Sequence, residues 1–286
     1  MRILALDSSG LVASVAVVRA DGSEEELIAE YTVNYKKTHS QTLLPMLDEV
    51  VRMTELDLET IDAVAVAAGP GSFTGLRIGS ATAKGLALAL HKPVIAVPTL
   101  EGLAYNLCGT ESIVCPIMDA RRGQVYTGIY EFHGDELAVI EGQMAVSIEE
   151  LGQKLMSCHR RIIFLGDGVP VFREALTERI LAGKDVAFAP CHMNRQRAAS
   201  VAALGIRYYQ SGRTETAAQH RPEYLRISQA ERERKERELA QNEREAHELA
   251  QAEREREARE PAQAQREQKA HELAQNEQTF RSCGQP

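Results

Sequence analysis

Asp7, Ser8 and Ser9 follow an apolar run, Arg2 to Leu6, and put a carboxylate and two hydroxyls on consecutive residues. An acid in that place can hold metal-bound water, and the hydroxyls can meet phosphate oxygens. A second turn, Gly69-Pro70-Gly71-Ser72, leads from an apolar run into a helical pattern. Its glycines, with Gly75, permit positive φ and close backbone approach, and free N–H groups at a helix N-terminus favour an anion. A tight strand-to-helix connection whose glycines serve packing needs the same residues, so both readings stand. The nucleotide or phosphate candidates are Asp7, Ser8, Ser9, Gly71 and Ser72. Arg121 and Arg122, after Asp119-Ala120, either contact phosphate or form a solvated hairpin tip.

Nucleophilic catalysis finds less support. There is no GxSxG, and His39, His91, His133, His159 and His192 are lone and far apart. Cys191-His192 lacks a third, orienting group. The sequence offers no catalytic residue of this kind, and a protease reading has no nucleophile to work with.

The turns have to be placed by strands and helices. Arg2 to Leu6, Val12 to Val18 and Glu26 to Val33 read as a meander, with a turn at Asp21-Gly22. Thr38-His39-Ser40-Gln41 fits a capping box, and a helix follows to about Met53 with Pro45 inside it. A strand at Ala63 to Ala67, a helix from Thr74 to Leu90 and a strand at Val94 to Val97 complete a βββαβαβ order. The second half repeats it: strands Ile113 to Met118, Gln124 to Phe132 and Leu137 to Gly142, a helix from Ser147, strand Ile162 to Leu165, and a helix from about Val169. A helix from Arg195 to Gln210 closes the pattern. The expected units are 1–110, 111–228 and a charged tail, 229–286.

Composition agrees with an α/β fold. Apolar residues make up 44% of 286, aromatics only 5%, and Trp is absent, so Leu, Ile, Val and Ala must build the interior. Five scattered cysteines without a CxxC pair, and no apolar run of the roughly 18 residues a membrane span requires, suggest a reduced, cytoplasmic protein. A net charge of −8 disfavours solitary RNA binding, which draws most of its affinity from basic contacts to phosphate. Beyond Ser228, Glu-Leu-Ala-Gln recurs at Glu238, Glu248 and Glu272 with few other large apolar residues. That composition reads as a charged helical or disordered tail, interrupted at Pro261.

The run from Ala67 to Gly79, AAGPGSFTGLRIG, resembles the signature of the TsaB (YeaZ) family. Leu6-Asp7-Ser8-Ser9, His39-Ser40-Gln41, the segment Asp119 to Tyr126 and Tyr224-Leu225-Arg226 extend the resemblance over about residues 1 to 232. It implies an actin-like ATPase (ASKHA) fold of two ribonuclease-H-like lobes. It also implies a non-catalytic scaffold and activating subunit in threonylcarbamoyladenosine formation on tRNA. The implied partners are the TsaD (Kae1-type) subunit, which performs the transfer, and the TsaE ATPase, with tRNA reached only through the complex. ATP and metal would belong to those partners, the chain having no cofactor of its own, and a homodimer is the alternative for the free chain.

The related TsaD carries an HxxxH pair of metal ligands after the strand that follows this helix. Here the stretch is Val97-Pro98-Thr99-Leu100-Glu101-Gly102-Leu103, and Thr99 and Leu103 replace the imidazoles, so no metal site is expected. Gly166-Asp167-Gly168 stands where the superfamily cradles adenosine. The rival reading is an autonomous actin-like kinase or ATPase using Asp7, which the missing glycines of the first hairpin and the arginines of the second oppose.

The first helix has an apolar arc of about 180°, wider than core packing needs. The second is apolar apart from Arg77, Ser80 and Lys84, with Gly75, Gly79 and Ala83 every four residues. The expected partner interface is Leu43, Met46, Leu47, Val50, Leu76, Arg77, Gly79, Ser80 and Ala83. Truncation after Lys235 is expected to shift the melting temperature by no more than a few degrees, because the tail has few apolar groups to offset its ordering entropy. A larger drop on thermal unfolding would show that the tail stabilises the fold.

Overall fold

The computed structural model describes residues 1–226 except 23, 36 and 37, together with 237, 238, 241, 242, 244 and 269. The chain divides into two units, Met1–Arg226 and Ile227–Pro286. In the second, the described residues are helical. The expected form of the 229–286 tail, and its break at Pro261, lies otherwise outside the described residues.

The first unit holds two five-stranded mixed sheets. Strands β1 (Arg2–Asp7), β2 (Ala13–Asp21), β3 (Glu24–Val33), β4 (Ala63–Gly69) and β5 (Val94–Pro98) form one, in the order β3-β2-β1-β4-β5. The meander is antiparallel, and β4 and β5 join it in parallel. Strands β6 (Ile113–Asp119), β7 (Gln124–His133), β8 (Glu136–Ser147), β9 (Ile162–Leu165) and β10 (Val186–Phe188) form the other, in the order β10-β9-β6-β7-β8. Read from its meander edge, the second sheet repeats the first, the duplicated ribonuclease-H-like topology of the actin-like fold.

Successive residues of β1 serve different cores, because side chains alternate across a strand. Leu4 and Leu6 face helices α1 (His39–Thr54) and α2 (Phe73–Ala89). Ile3 and Ala5 face a core shared by both sheets, which includes α3 (Thr99–Ala104), α6 (Ala198–Gln210), Met118, Tyr130 and Leu165. The outer face of the second sheet packs on α4 (Ile148–Leu155) and α5 (Val169–Glu174). Among the described residues no helix is long and apolar enough to cross a membrane.

Some boundaries differ from expectation. Thr38 is the N-cap of α1, yet its side chain makes no capping bond; its carbonyl accepts from the Gln41 amide instead. The last helix starts at Ala198, because Arg197 has extended backbone. The three-residue β10 is too short to show a period in sequence.

The glycines of the second turn sit against other backbone. A Cβ on Gly71 would collide with the Ser9 carbonyl, one on Gly75 with the Ser8 carbonyl, and one on Gly69 with that of Glu223. Gly85, also in α2, has only open space beside it. Gly75→Ala should therefore destabilise the chain by at least about 2 kcal/mol, since backbone must move. Gly85→Ala should stabilise it by about 0.5–1 kcal/mol through helix propensity alone. Denaturant unfolding of the two variants measures both, and a neutral Gly75→Ala would contradict the packing.

Candidate functional site

Asp7, Ser8, Ser9, Gly71 and Ser72 do come together, where the β1–β2 turn meets the start of α2. They are engaged with one another. The Asp7 carboxylate accepts from the Ser9 amide at 2.8 Å and the Ser9 hydroxyl at 2.7 Å. The Ser9 carbonyl accepts from the Ser72 amide at 2.7 Å. Ser8 donates its hydroxyl to the Gly75 carbonyl at 2.9 Å, and Ser72 caps α2 by accepting from the Gly75 amide. The amides of Ser9 and Ser72, which an anion would need, already have partners.

Asp7 is buried, and that burial pushes its pKa from 3.8 to about 6 against the opposing bonds from Ser9 and the charge of His39. His39 opens α1 with Nε2 2.8 Å from the Gly10 carbonyl, while its buried Nδ1 has no partner. Gln196, from the loop before α6, covers Gly10 so closely that a Cβ there would lie 2.8 Å from the Gln196 Nε2.

The second hairpin also satisfies itself. Arg121 and Arg122 adopt φ of 67° and 56°, a left-handed backbone costing non-glycine residues roughly 1–2 kcal/mol each. The Asp119 carboxylate accepts from the Arg121 amide at 2.8 Å and pairs with its guanidinium at 3.3 Å. Arg226 donates to the Ala120 carbonyl at 2.7 Å, and the Asp119 amide donates to Asp167 of the Gly166-Asp167-Gly168 turn at 3.1 Å. Burial raises the Asp167 pKa. Thr99 accepts from the Gly69 amide at 3.0 Å, and Leu103 packs in the shared core. A hydroxyl held by an amide and a buried Leu do not fit a metal.

The expected interface needs correction. Leu43, Met46, Leu47 and Val50 lie in the core beneath α1, with Leu43 1% and Leu47 5% exposed. Leu76, Gly79, Ser80 and Ala83 are likewise buried on the inner face of α2. These side chains cannot meet a partner, because the centre of each apolar arc is the part that reaches the sheet. Of the expected set only Arg77 is exposed, its guanidinium 4.0 Å above the Phe73 ring. The exposed apolar residues lie on the flanks and include Leu44 (55% exposed) and Met53 (69%) on α1, beside the exposed Asp48 and Arg52, and Ala81, Gly85 and Leu88 (63%) on α2. The missed signal is a second four-residue repeat, Arg77-Ala81-Gly85-Ala89, offset by two residues and so on the opposite face of the helix from the one that packs inward.

Folding must disfavour the Asp7 anion, so the folded chain holds that proton more tightly than the unfolded one. Stability should then fall as pH rises from about 4 to about 6. Asp7→Asn keeps an oxygen to accept both Ser9 bonds and removes the charge. It should add about 1–3 kcal/mol at pH 7 and flatten that pH dependence. Unfolding curves at pH 4, 5, 6 and 7 provide the check, and an unchanged slope in the variant would assign it to another group.

The family model described as TsaD, tRNA N6-adenosine threonylcarbamoyltransferase, matches residues 26–234. The tRNA threonylcarbamoyladenosine biosynthesis protein TsaB of Bacillus subtilis is 34% identical over 81% of this chain and 96% of its own length. The TsaB of Escherichia coli is 36% identical over 49% of this chain and 62% of its own. Among solved structures, YeaZ from Pseudomonas aeruginosa superposes with a TM-score of 0.66 at 29% identity, covering 78% of this chain and 99% of that one. With 34% identity over nearly the full length of the Bacillus relative, the chain belongs to the TsaB (YeaZ) family.

Proposed function

We propose that the chain takes part in forming threonylcarbamoyladenosine on tRNA as a non-catalytic subunit, pairing through the outward faces of α1 and α2 with the matching lobe of a TsaD-type transferase. The observation that carries this reading is the outer face of α2. Ala81, Gly85 and Leu88 form an apolar strip without bulk, and open space lies beside Gly85. A helix with no side chain at one position and a methyl four residues earlier lets another helix approach closely.

The non-catalytic part draws support from the hairpins, whose amides and carboxylates are bonded within the chain. Thr99 and Leu103, engaged in packing, leave the metal with the transferase. ATP belongs with a TsaE-type ATPase in this reading, and tRNA is reached through the complex. Without its partner, the same strip would pair two copies of the chain. Support for the tRNA pathway comes from the similarity to the threonylcarbamoyladenosine biosynthesis protein of Bacillus subtilis and to the transferase family.

Ala81→Glu with Gly85→Glu tests the reading on the full chain. Two carboxylates buried at a helix–helix contact should weaken binding to the TsaD-type partner by at least about 100-fold and abolish modification. The isolated variant should melt within a few degrees of the parent, since both positions face solvent. A folded variant that still copurifies with the transferase and supports modification would place the partner elsewhere.

A further inference from the structure

A cavity of about 490 Å³ is lined by residues of α3, the β7–β8 hairpin and the end of α6, and by none from the Asp7 turn, the Asp119 turn or α2. Its size suits a small ligand. Leu137, Val139 and Leu204 supply apolar lining. Glu101, Asp135, Glu136, Arg207, Tyr208 and Arg213 supply polar lining. Glu101 stands two residues from both Thr99 and Leu103, hence on the other side of α3 from the positions that fill the core.

Tyr208 organises part of the polar lining. Its hydroxyl donates to the Glu101 carboxylate, and the Arg213 guanidinium lies 3.5 Å over the face of its ring. A carboxylate and a guanidinium are thus fixed on one aromatic ring, yet among the described residues they form no ion pair with each other. Arg207, the other cation of the cavity, is held by Glu25 at 2.7 Å and Asp135 at 2.6 Å. Among the described residues Arg213 makes no ion pair with a carboxylate, and its contact is with Tyr208, so the edge of its guanidinium turned away from that ring can meet an anion. The fully buried Tyr130 hydroxyl, which has no partner among the described residues, feels the charge of the same Glu101 carboxylate but does not line the cavity.

A negative and a positive group held on one aromatic ring, with apolar side chains in the same cavity, are complementary to a molecule carrying an ammonium and a carboxylate on one carbon. We infer that the cavity binds a free amino acid, with its carboxylate on Arg213, its ammonium on Glu101 and its side chain against Leu137, Val139 and Leu204. A simple anion would be repelled by Glu101 and a simple amine by Arg213, so each head group alone is a poor fit. This site goes beyond the pairing reading and stands whether or not that reading holds.

The test titrates the isotope-labelled full chain with L-leucine, isopentylamine and 4-methylpentanoate, which share a carbon skeleton and differ in head group. Saturable shifts of the amides of Gly212 to Thr214 and of the Arg Nε–H signals are expected with L-leucine, at least about tenfold weaker with either analogue. Arg213→Gln is exposed and should keep the melting temperature while weakening L-leucine about tenfold or more. Glu101→Gln should weaken it likewise. If the carboxylate alone binds as well as L-leucine, the cavity is an anion site and the inference falls. It falls too if Arg213→Gln binds unchanged, or if none of the twenty standard amino acids gives saturable shifts up to roughly 20 mM.

Discussion

Backbone carbonyls seated where a side chain would otherwise be hold this molecule together. The Ser8 and Ser9 carbonyls lie against Gly75 and Gly71, and the Glu223 carbonyl lies against Gly69. Each contact excludes a Cβ, so a helix start, a strand-to-strand turn and the C-terminal segment share one small volume. Polar bonds then lock it: Ser72 to Ser9, Ser8 to Gly75, Gly69 to Thr99 and Glu223 to Ala68. Peptide groups buried at that density must be paired, and here they pair with one another.

That arrangement has a chemical consequence. A hairpin that binds phosphate needs unpaired amides pointing at an open cleft, whereas this one turns the Ser9 amide onto its own Asp7 and places Gln196 over Gly10. Asp7 becomes a buried carboxyl that is costly to ionise, suited to fixing a turn. At α3, too, Thr99 accepts from the Gly69 amide and Leu103 joins the core. Asp7, Ser8, Ser9, Thr99 and Leu103 are thus all engaged in packing the lobe, and the outer face of α2 carries the small residues Ala81 and Gly85 beside Leu88.

Much of this was legible in the sequence. Short apolar runs bounded by turn residues located most of the strands, and the run from Ala67 to Gly79 gave the family. The chemistry of the glycines was not legible, because close approach to a phosphate and close approach to a carbonyl need the same missing Cβ. The interface was misplaced for a related reason. An apolar arc of 180° on α1 states that more than the core is touched, but the choice between Leu43 and Leu44 depends on where the sheet lies. The cavity beside Tyr208 was invisible, since Glu101, Leu137 and Arg213 come from segments that only the tertiary fold assembles.

The central claim is that the signature turn is internal packing and not an anion site, and amide hydrogen exchange at Ser9 and Ser72 in the full chain tests it most directly. The account predicts protection comparable to the core strand Arg2–Asp7 in the free chain, unchanged by millimolar magnesium-ATP. Fast exchange at these two amides that slows when ATP is added would contradict it, because they would then be open donors waiting for phosphate.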